Sequence, residues 1–505
     1  MINKKFNKIC LIRMDSRILK ITAGHPKHFS PPFTLKYIQA LLAKNENFQV
    51  KLIDCIVTSV DLKNLLDRSL DWGTEVMVVS STTHSRELAM QFCSLVKMKK
   101  DVFVVAVGQG ATAHSFDYCF PSSPFDVVLR GESEQEVISL LESLNSGENQ
   151  QQIRETYRKK LNAKEVTLIW DLDSLPFPDY EDREIEAYRF FYPIRTWKRL
   201  RWGHILSSRG CHHGCIFCSQ IIRETYGNKM RLRDPVKVVD EIEYLMGKGI
   251  NIIAFDDDNF TASAQHVVAI SSELIKRKLK IRWIAHARAD ELSIPLMHLM
   301  KKAGCVLLRF GIESASARII RILKKNTRDT NWIETIENIL RHCRKTGIAT
   351  HALFMVGNPT ETSEEIKATI QLAEILKPDL IQVHFFTPYP GSVIYENVCN
   401  HVIRNHQLSQ MHHYAFPKVN LAYVDSDDLM MLRALFYRRF LLRPSFLLKH
   451  FSRYFLYYLA NGRCRYALLK VFKILFQRRA GKRSQFCRKR DGGFLALDAL
   501  NNGII

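Results

Sequence analysis

Apolar positions along the chain fall in short runs separated by stretches of helical spacing. In the first 145 residues, strand-like runs at 8–11, 50–53, 76–79, 102–107 and 126–129 alternate with helical spacing at 33–43, 85–97 and 132–144. Short β-branched runs with helices between them predict a parallel sheet covered on both faces, and a small doubly wound domain is the simplest such fold. Residues 146–164 are polar and Gln-rich and read as a linker. The two prolines of Asp171-Leu-Asp-Ser-Leu-Pro-Phe-Pro-Asp-Tyr180 predict an extended crossing segment. The alternation resumes with strands at 204–208, 251–255, 281–286, 305–310, 349–356 and 380–385 and helices such as 236–246 and 364–376, then fades after 396. Six βα units predict a partial (β/α)6 barrel with its active site at the strand C-terminal ends. The expected fold class is α/β: a doubly wound domain over 1–147, a linker and crossing segment over 148–195, the barrel over 196–400, and a mostly α-helical basic region over 401–505.

Charge sharpens that division. The 505 residues carry 73 Lys and Arg against 51 Asp and Glu, a net +22, and 431–505 holds 17 Lys and Arg against two Asp, +15 of that total. A positive charge concentrated in the tail argues against a nucleic-acid groove through the main body. The stretch 429–476 mixes aromatics, leucines and arginines, without an apolar run of the ~18 residues that span a bilayer. It reads either as basic amphipathic helices on an anionic membrane surface or as helices packed on the barrel with solvated basic faces. The run 481–490 suits phosphates or disorder equally, and nucleic acid is the least favoured partner. The N-terminus lacks a secretory pattern, so the expected location is cytoplasmic, with peripheral contact to the inner membrane face through the tail. Clustered cysteines there point to metal or catalysis rather than disulfides, whereas Cys10, Cys55 and Cys305 read as buried apolar fillers and the adjacent His412 and His413 as structural.

One segment carries concentrated chemistry: Ser207-Ser-Arg-Gly-Cys211-His-His-Gly-Cys215-Ile-Phe-Cys218. Three thiols within eight residues, just after a strand, sit on a loop at the barrel mouth. Thiolates are the standard ligands of iron–sulfur clusters, and three ligands on a four-iron cluster leave one iron open. A zinc knuckle is the alternative, with His212 or His213 as fourth ligand.

The spacing C-x3-C-x2-C, with Phe217 before the last cysteine, resembles the signature of the radical S-adenosylmethionine (SAM) superfamily. The resemblance implies a [4Fe–4S] cluster on Cys211, Cys215 and Cys218 whose open iron chelates SAM. Reductive cleavage would then give a 5′-deoxyadenosyl radical, the cofactor carrying the hard chemistry. Further stretches fall where the family places its SAM contacts. Asp257 and Asp258 end the second barrel strand, where the amino group is bound; Glu313 and Ser314 end the fourth, where the ribose is held. Lys325 would meet the SAM carboxylate, and Gly357 opens a turn beneath adenine. An electron donor such as flavodoxin or ferredoxin is implied as well.

The first domain resembles the cobalamin-binding domain of the large radical SAM family that carries one, and the likeness extends over roughly residues 1–400. Pro31-Pro-Phe-Thr-Leu-Lys-Tyr-Ile-Gln-Ala40 resembles that family's opening helix. Ser80, Ser81 and Thr82, Gly108 and Gly110, and Gly131 and Glu132 lie at successive strand ends, which in a doubly wound sheet share the ligand edge. The same residues also suit ordinary βα turns. There is no D-x-H-x-x-G stretch to supply an axial histidine. The resemblance implies a cobalamin-dependent methyl transfer to an unactivated carbon, with a cyclase or oxidase of the anaerobic Mg-protoporphyrin monomethyl ester cyclase type as alternative and a non-catalytic metal-binding protein as second alternative. The barrel lumen and residues 180–201 are expected to line the site of a small-molecule or lipid-like substrate.

Overall fold

The computed structural model describes residues 5–15, 29–58, 60–120, 122–163, 165–190, 192, 194–196, 198–218, 229–325, 331–399, 413, 419–448, 450 and 457. The first layer is built from β1 (Lys8–Arg13), α1 (Phe33–Leu42), β2 (Gln49–Asp54), α2 (Leu62–Leu70), β3 (Val76–Ser80), α3 (Arg86–Lys99), β4 (Phe103–Val107), β5 (Val127–Val128) and α4 (Glu134–Asn145). Its five strands are parallel in the order β2-β1-β3-β4-β5. Period-2 alternation sends Cys10, Ile12, Met77, Val79, Val104 and Ala106 into one core and Ile9, Leu11, Val76, Val78, Val105 and Val107 into another. That is why the strands read as continuous apolar runs: both faces are covered.

Residues 146–164 differ from the expected linker. Helix α5 (Gln150–Asn162) opens with the Asn149 side chain accepting from Gln151 N–H and buries Ile153 and Leu161. Arg154 pairs with Asp126 at 2.9 Å and Lys160 with Glu136 at 2.8 Å, docking the helix beside β5. The chain then returns to form a bridge between Thr167 and Gly131. The crossing segment contains one 3-10 turn, Leu172–Ser174, before running on to a short helix, Asp182–Ala187.

The second layer contains β6 (Trp202–Ile205), the antiparallel pair β7 (Ser208–Arg209) and β8 (Arg231–Leu232), α6 (Pro235–Gly247), β9 (Ile252–Phe255), α7 (Ala264–Lys276), β10 (Arg282–Ala287), α8 (Ile294–Lys302), β11 (Cys305–Glu313), α9 (Trp332–Thr346), β12 (Ala349–Val356), α10 (Ser363–Leu376) and β13 (Leu380–Phe385). Six parallel strands stand in sequence order from β6 through β9 to β13, with the helices between them, an open arc of βα units. Helix starts follow capping chemistry: Asp234 precedes Pro235 and accepts from Val236 and Lys237, and Thr362 with Glu365 forms a capping box.

Helix α11 (Ser426–Leu441) packs on the arc through buried Phe436 and Phe440, with Phe436 5.0 Å from the Phe354 ring. This first part of the basic region is therefore a helix packed on the arc, with Met431 and Leu435 exposed. Beyond residue 448 only 450 and 457 are described, so 481–490, like His412, lies outside the described residues. Among the described residues no helix is long and apolar enough to cross a membrane. Cys10, Cys55 and Cys305 are buried.

Candidate active site

The cysteine loop leaves β6 and is shaped at both ends. Gly210 adopts φ +90°, immediately before Cys211, a conformation that suits glycine. In the middle, Ile216 is buried against Ile319, Leu323, Met355 and Ile394, and its N–H donates to the Leu323 carbonyl at 3.1 Å. The apolar residue between the second and third cysteines thus anchors the loop, leaving the thiols free of disulfide bonds, Cys211 and Cys215 half-buried and Cys218 accessible. Protein surrounds the loop closely enough that burial first, then Cys215, Asp258 and Cys211, pushes the Cys218 thiol up to about 12. Burial likewise raises Cys211. Thiols so placed that Cys215 opposes ionisation of both Cys211 and Cys218 form a donor set suited to a cationic metal centre, which reverses that preference.

Around them stand the carboxylates and cations. The two aspartates after β9 diverge. Asp257 is buried and accepts from Ser207 Oγ at 2.8 Å, Ser207 N–H at 3.2 Å and the Ser208 hydroxyl, tying the ends of β9 and β6 together. These three bonds hold it to the scaffold at the strand end where a SAM contact is expected. Asp258 is accessible, although burial and the Asp257 charge push its carboxyl up to about 7. It is also the aspartate that bears electrostatically on Cys211 and Cys218.

At the end of β11 the register shifts and Glu313 takes φ +67°, a strained backbone for a non-glycine residue and a frequent mark of functional sites. Its carboxylate pairs with Lys325 Nζ at 3.2 Å, and that ammonium lies 5.9 Å from the centre of the Phe217 ring. Gly311 makes room: a Cβ there would stand 2.4 Å from Glu313 Oε1 and 2.8 Å from Lys325 Nζ. Ser314 lies beside α10, its hydroxyl near Thr369 and Glu361. Gly357, at φ +81°, starts a turn in which its N–H and that of Asn358 donate to Glu361 at 2.8 and 3.0 Å.

Two further side chains escaped sequence reasoning. Arg288, after β10, reaches Cys215 Sγ at 4.0 Å and the Lys325 carbonyl at 2.7 Å, while Asp290 braces its guanidinium at 2.7 and 3.0 Å. Glu291 accepts from His213 at 2.6 Å and from Asn259 and Thr261 at 2.9 Å. Among the described residues His212, His213 and Glu291 come together, and no cysteine joins that group, which weighs against a Cys–His zinc knuckle. The run Arg288-Ala-Asp-Glu291 at a strand end was the available signal.

On the first sheet the strand ends interlock. Gly108 at φ +83° would bring a Cβ within 2.7 Å of Ser80 Oγ, and Gly110 within 2.7 Å of the Ser81 carbonyl. Ser81 Oγ lies 2.5 Å from the Tyr118 hydroxyl, and Thr82 caps the turn that follows and is exposed. Residues 80–83 and 108–112 contain hydroxyls and glycine without a charged side chain, which fits a neutral, amide-rich ligand in kind. Gly131 is tied to that edge, its N–H donating to Thr112 Oγ1 at 3.0 Å. Gly131 approaches the Thr167 carbonyl so closely that a Cβ would lie at 2.4 Å, and Glu132 is wholly buried against Arg231 and the Ile169 N–H. They join the two layers at the strand end expected to line a cobalamin site. A cavity of about 330 Å³ between α5 and residues 119–128 is separate from the cysteine loop.

A sequential parallel arc with three thiols on the loop after its first strand defines a radical SAM domain. Residues 205–373 match the profile of the Radical SAM superfamily, so the chain carries a radical SAM domain and is an enzyme; that superfamily uses SAM and a [4Fe–4S] cluster. It is 28% identical over 430 residues to an uncharacterized methyltransferase of Pyrococcus horikoshii, covering 83% of this chain and 89% of that one. It is 24% identical over 458 residues to the anaerobic magnesium-protoporphyrin IX monomethyl ester cyclase of Rubrivivax gelatinosus, covering 86% and 80%. Its fold resembles that of the radical SAM methyltransferase TsrM from Kitasatospora setae, solved with cobalamin and a [4Fe–4S] cluster bound, at TM-score 0.62, 17% identity and coverage of 79% and 75%.

Proposed function

We propose that the chain is a cobalamin-dependent radical SAM C-methyltransferase acting on a small molecule. The observation that carries this reading is the meeting of two strand-end edges. His84, after β3, lies 5.8 Å from Tyr389, after β13, in an edge-on ring contact. A ligand on the first sheet's edge therefore borders the mouth of the arc. The methyltransferase relative and the TsrM likeness support the same reading; the cyclase relative favours a cyclisation or oxidation as second reading.

In this reading residues 1–147, extended by α5, form the corrin unit and 196–400 the barrel, followed by a basic region over 401–505. Cys211, Cys215 and Cys218 hold the cluster, and when bound the cluster supplies the electron that splits SAM while the corrin carries the methyl group. Asp258 meets the SAM ammonium by charge-assisted hydrogen bonding. Glu313 receives the ribose hydroxyls, Lys325 the carboxylate, and the Gly357 turn lies beneath adenine. Phe217 shields the Lys325 ammonium from water. Arg288 opposes the negative charge of the thiolates. A flavodoxin or ferredoxin donates the electron.

The test uses protein purified without oxygen, reconstituted with iron, sulfide and hydroxocobalamin, and desalted. Retained corrin absorption together with 5′-deoxyadenosine from SAM and reductant is expected, and Cys218→Ala should lose both cluster and nucleoside. Nucleoside without retained corrin would remove methyl transfer and leave the second reading. Nucleoside from a reconstituted Cys218→Ala protein would overturn the ligand assignment.

A further inference from the structure

The concave face of the six-stranded arc has an unbalanced charge. Trp283, Leu308, Phe310, Phe354 and Phe385 belong to the core that the helices cover. His286, Arg309, His351 and His384 occupy intervening strand positions and so face the concave side. Strand register makes His286, Arg309 and His351 direct cross-strand neighbours. Below them an apolar floor of Ile284, Leu307 and Ala349 packs with Phe190 and Tyr192 from the crossing segment.

Arg309 is the centre of this face. Its guanidinium lies 5.3 Å from the Tyr192 ring centre and 6.0 Å from that of Phe190, and Nη1 donates to His286 Nε2 at 2.5 Å. Its Nε is buried without a hydrogen-bond partner among the described residues. The carboxylates that share this face are committed elsewhere, Asp256 to His204 at 2.7 Å and Glu313 to Lys325 at 3.2 Å. The surroundings respond to the uncompensated charge. Burial, then Arg309 and Lys325, hold His286 well below the ordinary imidazole range; burial, then Arg433 and Arg309, hold His384 at about 4. A cation set over an apolar floor without a counter-ion is costly, and the cost is recovered when an anion arrives.

We propose that the substrate carries an anionic group, a carboxylate or a phosphate, that docks on Arg309 beside His286 and His351. The inference rests on the radical SAM reading of the site and names its substrate class. It also sets a length. Gly311, under the Glu313–Lys325 pair, is two residues beyond Arg309 on the same strand, roughly 7 Å away. The reacting carbon therefore lies several bonds from the acid group. Arg309 is a binding residue for the substrate's remote end, and the aromatic floor fixes its fork for a bidentate grip.

The test titrates reconstituted full-length protein calorimetrically with inorganic phosphate and, separately, with succinate, chloride holding the ionic strength constant. One saturable site is expected, weakened at least about tenfold in Arg309→Met and less in Arg309→Lys; the tighter probe assigns phosphate or carboxylate. Should Arg309→Met misfold, histidine NMR of the wild-type protein takes its place, and the bound probe should raise the His286 pKa. Equal binding by wild type and Arg309→Met, or no binding of either probe with His286 unmoved, overturns the proposal. Iron content and SAM binding are read on the same samples. If those fail, the radical SAM reading of the site falls; if they hold while anion binding fails, the anion site alone falls.

Discussion

Arg231, on the strand that returns after the cysteine loop, closes both terminal nitrogens on the Glu132 carboxylate at 2.6 and 2.7 Å. Beside it Arg209, two residues before Cys211, donates to Glu134 at 2.9 Å. All four side chains are buried. The strands flanking the cluster loop are thereby fastened to the last strand end of the first sheet. Removing one partner leaves a buried charge uncompensated, whereas removing both leaves none. Arg231→Met is expected to cost about 3–5 kcal/mol in chemical denaturation, and adding Glu132→Met should return most of it. A double variant as unstable as the sum of the two single ones would show that the residues act independently.

Gly311→Ala tests the geometry of the proposed SAM contacts. The new methyl group would displace Glu313 and Lys325 from their pairing without touching a cysteine. SAM affinity should fall by about tenfold or more, worth ~1.4 kcal/mol, with iron content preserved. Undiminished SAM binding by equilibrium dialysis would separate this pair from the cofactor.

Glu361 gives stability a pH dependence. Burial raises its carboxyl to about 7, against the pull of the Asn358 and Gly357 hydrogen bonds. An acid whose folded pKa is raised keeps its proton while the unfolded chain releases its own. Stability from this group is therefore full below the ordinary carboxylate range and is lost as pH rises towards about 7. Glu361→Gln, which keeps a carbonyl for the two N–H groups, should remove up to about 3 kcal/mol of that decline. Urea midpoints at pH values on either side of the window, compared between wild type and variant, provide the check.

The strands were legible because their environment is simple. In β12 and β13, apolar residues buried on the covered face set the bounds directly, and the thiol spacing announced the site. Residues 150–162 were not, because Gln, Lys and Arg dominate a helix whose buried contacts are few. Ile153, Tyr157 and Leu161 recur at every fourth position, and that spacing was the signal that could have found it. The aspartate pair could not be resolved either. Asp257 and Asp258 are chemically identical in sequence, and only the hydroxyls of Ser207 and Ser208, fifty residues away, decide which is spent on the scaffold. Long-range charge pairing, as between Arg231 and Glu132, leaves no local pattern at all.

The return of Thr167 to Gly131, past α5, means that the first sheet is finished by residues lying well beyond its last strand. The border between the two layers in space does not coincide with the polar stretch that marks it in sequence. An exchange of first-sheet units between relatives, cut at that polar stretch, would strip the β5 edge of its flank and carry Glu132 away from its arginine. The chain behaves as one interlocked body rather than as a pair of interchangeable cassettes, so its two strand-end edges can change only together.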